Sequence, residues 1–108
     1  MKSVTQITPA GLKALMDAKS PHCLLDVRET WELALARIEG SVAIPLNEIP
    51  ARLKELDAAQ AIIVMCRSGV RSQRAADYLL ANGFDQVSNL QGGITAWTRD
   101  IDPLMPAY

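Results

Sequence analysis

Short apolar runs alternate along this chain with stretches whose apolar residues fall three and four apart, the pattern of an α/β fold on a mostly parallel central sheet with helices on both faces. Residues 4–7 read as a short first strand, and Thr8-Pro9 then supplies a helix N-cap and a proline at the first helical position. Leu12, Leu15 and Met16 follow at helical spacing. The run 23–27 is mostly apolar, as expected of a strand covered on both faces. Residues 30–35 suit a short helix, Gly40-Ser41 a turn, and 42–44 a strand ended by Pro45. Residues 47–56 read as a helix with Pro50 near its start and Leu53 and Leu56 facing inward. The best central strand is 61–65, followed by a turn at 66–71 and a helix over 72–81 that packs through Ala75, Ala76, Leu79 and Leu80 and stops at Asn82-Gly83. Residues 87–90 form a last strand, and Gly92-Gly93 a tight turn into a short final helix around Ala96 and Trp97. The tail from Asp102 carries two prolines and is expected to lie over the surface.

A chain of 108 residues fits one domain over residues 1–108, and a hydrophobic share of 49% is enough for one core. The net charge of −1 gives no global pull toward nucleic acid or an anionic membrane, so any anion site must arise from local clustering. No apolar run approaches the roughly 20 residues needed to cross a bilayer. Residues 1–10 hold one lysine and no apolar leader core, so a cytoplasmic location is expected. Two cysteines, Cys23 and Cys66, and the single His22 are too few for the usual zinc spacings, and no metal is expected.

The segment 62–72 carries the chemistry. An apolar strand runs into a short loop, and the loop into a helix, which is where open α/β sheets bind ligands. Cys66 is the first residue past the strand. Loop N–H groups and the helix N-terminus make an anion cradle, and Gly69 allows a positive φ where the loop curls. No Asp or Glu lies between Asp57 and Asp77, whereas Arg67, Arg71 and Arg74 do. Cations near a helix N-terminus are disfavoured by its dipole, and a bound anion offsets that cost. The same positive field is expected to make Cys66 a nucleophilic thiolate near neutral pH. The bland alternative, a buried cysteine beside solvated arginines, does not account for this order of residues.

Cys66-Arg67-Ser68-Gly69-Val70-Arg71 resembles the active-site loop of rhodanese domains. Three further pieces fall in the family's order: Leu24-Leu25-Asp26-Val27-Arg28-Glu29, Ile44-Pro45-Leu46, and Leu90-Gln91-Gly92-Gly93-Ile94-Thr95-Ala96-Trp97. The resemblance covers nearly the whole chain and implies a rhodanese-like three-layer fold. It also implies a sulfurtransferase that moves sulfane sulfur from a small anionic donor such as thiosulfate to cyanide, a thiol or a protein acceptor, through a persulfide on Cys66 and without a cofactor. Arg67, Ser68, Gly69, Val70 and Arg71 would bind substrate, with Arg71 orienting the anionic donor and Arg67 adding field and acceptor recognition. Where the family often reads Gly-His-Ile-x-Gly-Ala, this chain has Ala36-Arg37-Ile38-Glu39-Gly40-Ser41. Arg37 there either changes local turn packing or adds charge near the pocket.

Other candidates carry plainer readings. Cys23 reads as a small core residue rather than a redox partner, and His22 has no partner in sequence. Asp26 and Arg28 border the site as a structural ion pair or a hydrogen-bonded tie to a neighbouring loop. Trp31 and Trp97 read as packing residues. Ser72 either donates to the bound sulfur or caps the helix. The rivals are a phosphatase of the related fold, whose loop is one residue longer, its arsenate-reducing relatives, and a binding module without catalysis. Four residues between Cys66 and Arg71 fit the smaller sulfur atom.

Overall fold

The computed structural model describes residues 3–108; Met1 and Lys2, the start of the stretch read for a leader, lie outside the described residues. Five strands form one sheet: β1 Thr5–Ile7, β2 Cys23–Asp26, β3 Val42–Ala43, β4 Ile62–Met65 and β5 Val87–Leu90. Their order is β1-β5-β4-β2-β3, and every pairing among them is parallel. The helices are α1 Pro9–Asp17, α2 Thr30–Leu35, α3 Ile49–Arg52, α4 Val70–Ala81 and α5 Gly93–Asp100.

β4 lies at the centre because all four of its residues are apolar and both faces need cover. Ile62, Val64 and the following Cys66 pack with Ala75, Ala76 and Leu79 of α4 and Ile49 of α3. Ile63 and Met65 point the other way, toward Leu12 of α1 and Ile94 and Trp97 of α5. The period of two along one strand thus feeds two cores. From β4 the chain passes to β5 on one side, and from β2 to β3 on the other. The carboxyl ends of β2 and β4, in register at Asp26 and Met65, therefore flank the topological switch point where such sheets bind ligands.

Two elements depart from expectation. The segment 47–56 is not one helix: a 3₁₀ turn at Leu46–Glu48, the single turn of α3 and a second 3₁₀ turn at Leu53–Glu55 replace it. Pro50 has no N–H to give and its ring crowds the preceding turn, so the regular ladder cannot run through it. Leu53 and Leu56 still pack on the core, but the fully buried anchor is Ile49. The helix expected over 72–81 starts two residues earlier, at Val70, because Gly69 turns the chain in the left-handed region (φ 103°) and itself occupies the N-cap. Arg71 accordingly sits in the first helical turn, and Ser72 is not a cap. Among the described residues no helix is long and apolar enough to cross a membrane.

The Gly92-Gly93 turn brings α5 against the loop after β4. The N–H of Ile94 donates to the Cys66 carbonyl at 2.9 Å, and that of Thr95 to the Arg67 carbonyl at 3.1 Å. Such close docking requires glycine: a Cβ at Gly93 (φ 59°) would lie 2.4 Å from the Arg67 carbonyl oxygen and 2.5 Å from that of Cys66. Gly93→Ala is expected to cost about 2–4 kcal/mol through positive-φ strain and overpacking, read as a lowered urea midpoint.

Candidate functional site

β4 delivers Cys66 to the switch point, and the loop 66–69 wraps its sulfur. With the Cys66 and Arg67 carbonyls tied to α5, the following N–H groups face inward. That of Gly69 lies 3.1 Å from Sγ, and the main-chain N–H groups of Ser68 and Ser72 add to the favourable field at the sulfur. The Ser72 hydroxyl lies 3.3 Å away on the helical side. Cys66 itself is 1% exposed.

Burial pushes the Cys66 thiol up, but the Ser72 hydroxyl and the N–H groups of Ser72, Gly69 and Ser68 outweigh it and hold the thiol below its usual value. The thiolate is thus favoured by hydrogen bonds converging on one atom. The arginine field expected to do this is largely spent elsewhere. Arg71 does interact electrostatically with Cys66, but its guanidinium makes a forked ion pair with Glu32 of α2, at 2.5 and 2.9 Å. Arg67 stacks on the Tyr108 ring, 4.8 Å from its centroid, and donates to the Tyr108 main-chain oxygen. Arg74 stays exposed on α4.

Asp26 and Arg28, expected as a structural pair or a tie to a loop, are both. Each is fully buried, and Nε and Nη2 of Arg28 grip both oxygens of Asp26 at 2.7–3.1 Å. The same guanidinium donates to the Ala36 carbonyl at 2.8 Å and the Tyr108 hydroxyl at 2.8 Å. That hydroxyl in turn donates to Glu32 at 2.7 Å. A continuous chain Asp26–Arg28–Tyr108–Glu32–Arg71 therefore lies along the site. The tail does not merely cover surface; its last residue closes this chain.

The remaining candidates separate cleanly. Val70 is 68% exposed on the rim of the cradle, and the Ser68 side chain is exposed while its N–H serves the sulfur. Arg37 donates to the Ser41 carbonyl at 2.8 Å, a contact within its own turn. Cys23 is half-buried against the core, and burial raises its thiol. His22 Nδ1 contacts the Ser20 carbonyl. Trp97 is buried, but Trp31, expected to pack, is 62% exposed and meets the Tyr108 ring edge-on, with centroids 6.1 Å apart. Among the described residues no group of three Cys, His, Asp or Glu side chains could hold a metal.

Three residues were not singled out from sequence: Glu32, Asn89 and Tyr108. Glu32 hides in a capping box with Glu29, whose N–H it accepts at 3.0 Å. Asn89 leaves a signal, as an amide in a buried strand. Tyr108 leaves none.

A family model for the rhodanese-like domain matches residues 8–100. The chain is 38% identical over 102 residues to a sulfurtransferase of Allochromatium vinosum, covering 94% of this chain and 95% of that one. It is 40% identical over 110 residues to the adenylyltransferase and sulfurtransferase MOCS3-1 of Zea mays, covering 95% of this chain but only 24% of the maize protein, so it spans about a quarter of that relative's length. Among solved structures, a rhodanese-like domain protein from Staphylococcus aureus superposes with a TM-score of 0.82 at 34% identity, over 87% of this chain and 91% of that one.

The Arg71 pair holds the Glu32 carboxyl at about 2, against an ordinary 4.5; burial opposes this and the Tyr108 hydroxyl reinforces it. A depressed carboxyl contributes stability that is fully present above its unfolded value and is lost as pH falls through its folded value. Glu32→Gln is expected to cost about 3 kcal/mol at neutral pH, and its urea midpoint should converge on that of the parent as pH falls from about 4.5 toward about 2.

Proposed function

The chain belongs to the rhodanese-like domain family, and from that premise we propose that it transfers sulfane sulfur through a persulfide on Cys66. The observation that carries this reading is the convergence of main-chain N–H groups on Cys66 Sγ, with the Gly69 N–H at 3.1 Å. Such a cradle stabilises sulfur bearing negative charge without needing a side-chain cation.

The Cys66 thiolate attacks the outer sulfur of a small anionic donor such as thiosulfate. The sulfur–sulfur bond of the donor breaks, and sulfite leaves with the bonding pair. The terminal sulfur of the new persulfide takes up the negative charge under the loop N–H groups. A thiolate, cyanide or a nucleophilic sulfur on a protein then attacks that sulfur, and Cys66 departs as a thiolate. Arg67, Ser68, Gly69, Val70 and Arg71 form the substrate rim, with Ser72 beneath it and Asp26 and Arg28 supporting from the end of β2 and the segment after it. The short loop favours sulfur over phosphate: its donors meet at one atom, whereas a phosphoryl group spreads charge over three outer oxygens. The reaction as written needs no cofactor.

Incubation with thiosulfate should leave a dithiothreitol-reversible adduct of one sulfur on Cys66, seen by intact mass and peptide mapping. Cys66→Ser should abolish adduct and transfer while keeping the fold, and Cys23→Ser should retain most activity. Hydrolysis of an aryl phosphate with no persulfide would overturn the assignment.

Arg71 has a second consequence. Arg71→Ala removes a donor-orienting charge and also strands the Glu32 carboxylate, which is 3% exposed. The single variant is expected to lose about 3 kcal/mol of stability or more, and Arg71→Ala/Glu32→Gln to recover much of it. Thiosulfate transfer should stay impaired in both, which denaturation and steady-state assays on the pair will separate.

A further inference from the structure

Cys66, Ser72 and Asn89 form a buried line of polar groups. Ser72 is fully buried and Asn89 is 4% exposed. Ser72 Oγ lies 3.3 Å from Cys66 Sγ and donates to Asn89 Oδ1 at 2.5 Å. The orientation of the Asn89 amide follows from the main chain. Its Nδ2 lies 3.1 Å from the Gly69 carbonyl, which can only accept, and its two N–H groups are shared between that carbonyl and Gln6 Oε1 at 3.1 Å and Gln73 Oε1 at 3.2 Å. The oxygen must therefore be the atom that faces Ser72.

A serine hydroxyl has one proton to give. While Cys66 is a thiol, its S–H can donate to Ser72 Oγ, and the Ser72 proton goes to Asn89. Once Cys66 ionises, its proton leaves to water and the sulfur becomes the stronger acceptor. Ser72 then serves the sulfur only by giving up Asn89 Oδ1, which has no other hydrogen-bond donor among the described residues and lies in a residue only 4% exposed, too deeply buried to find water readily. We propose that Asn89 is a positioning residue that sets the ionisation of Cys66 by competing with its sulfur for the Ser72 proton, while its amide nitrogen clamps the Gly69 carbonyl and keeps the Gly69 N–H aimed at the sulfur.

The two actions have opposite signs: the competition makes the thiolate harder to form, and the clamp makes it easier. Their balance has a chemical use. Nucleophilicity falls as thiol pKa falls, so a cradle that stabilised the thiolate without limit would make it unreactive. Three charged groups on the elements packed round the sulfur are engaged elsewhere, and Arg74 on α4 is exposed to solvent. Arg71 on α4 faces Cys66 but is paired with Glu32 of α2, Asp26 at the end of β2 is paired with Arg28, and Arg67 in the loop is directed to Tyr108. None of these bonds involves Asn89.

The role of Asn89 in transfer rests on Cys66 being the sulfur carrier, but the competition is a property of three side chains and is tested without turnover. In a Cys23→Ser background, the ultraviolet absorbance of the thiolate is followed against pH for the parent, Asn89→Leu, Ser72→Ala and the double variant. Ser72→Ala should raise the midpoint. Asn89→Leu should sit about one pH unit lower, a tenfold change in thiolate fraction, when Ser72 is present than its effect in the Ser72→Ala background would give. Equal Asn89→Leu shifts in the two backgrounds would leave only the clamp and overturn the competition. Should Asn89→Leu fail to fold by circular dichroism, Asn89→Asp replaces it: its rise should be smaller in the Ser72→Ala background, and an equal rise overturns the proposal. Absence of a persulfide on the parent would instead overturn the sulfur-transfer reading and leave the titration result standing.

Discussion

The carbonyls of Cys66 and Arg67 are held by the first free amides of α5, and the shape of the loop follows from that pair of bonds. Peptide planes are rigid, so fixing the Arg67 carbonyl on the outer side turns the Ser68 N–H, in the same plane, the other way, and the Gly69 N–H follows it in the loop. The Gly69 N–H reaches Cys66 Sγ at 3.1 Å, and that of Ser68 favours the thiolate from beside it. Gly69 then reverses the chain and starts α4, whose first turn completes the ring of donors. Gly93 is what lets the two backbones approach closely enough for this to happen. The cradle is thus assembled from main chain, and its polarity is preorganised by the fold itself.

Around the backbone cradle runs a second system, made of side chains. Asp26, Arg28, Tyr108, Glu32 and Arg71 each satisfy a neighbour's charge or hydrogen-bonding capacity. Burying such groups is costly unless every member is paired, and breaking one link strands the next. The network therefore fixes the relative positions of the β2 end, α2, the first turn of α4 and the tail. It also neutralises Arg71 in place, so that the positive charge beside Cys66 is ordered rather than free. The division of labour is physical: hydrogen bonds tune the sulfur, and the ion-pair chain holds the walls.

Much of this was legible in the sequence. The continuous apolar character of 61–65 marked a strand covered on both faces, and β4 is the central strand. The strand–Cys–Gly–helix order predicted the curled loop that joins β4 to α4 at Cys66, because backbone curvature and helix ends are local properties that a few residues dictate. The helix over 30–35 and the strand over 87–90 fell where the pattern put them, each within a residue. The segment 47–56 failed because Pro50 interrupts a ladder whose apolar spacing still looks helical.

What the sequence by itself determined is the alternation of elements, the parallel sheet it demands and the position of Cys66 at a strand end. Only the tertiary structure decided where the charges go. The stretch around Cys66 holds arginines and no acid, and read alone it is a positive field; folding brings Glu32 from 39 positions away onto Arg71 and Tyr108 from 41 positions away onto Arg67. Asn89 likewise reaches Ser72 across 17 positions. Local propensity acts over a few residues, whereas electrostatic and hydrogen-bond pairing acts through space, and only the folded chain sets those distances.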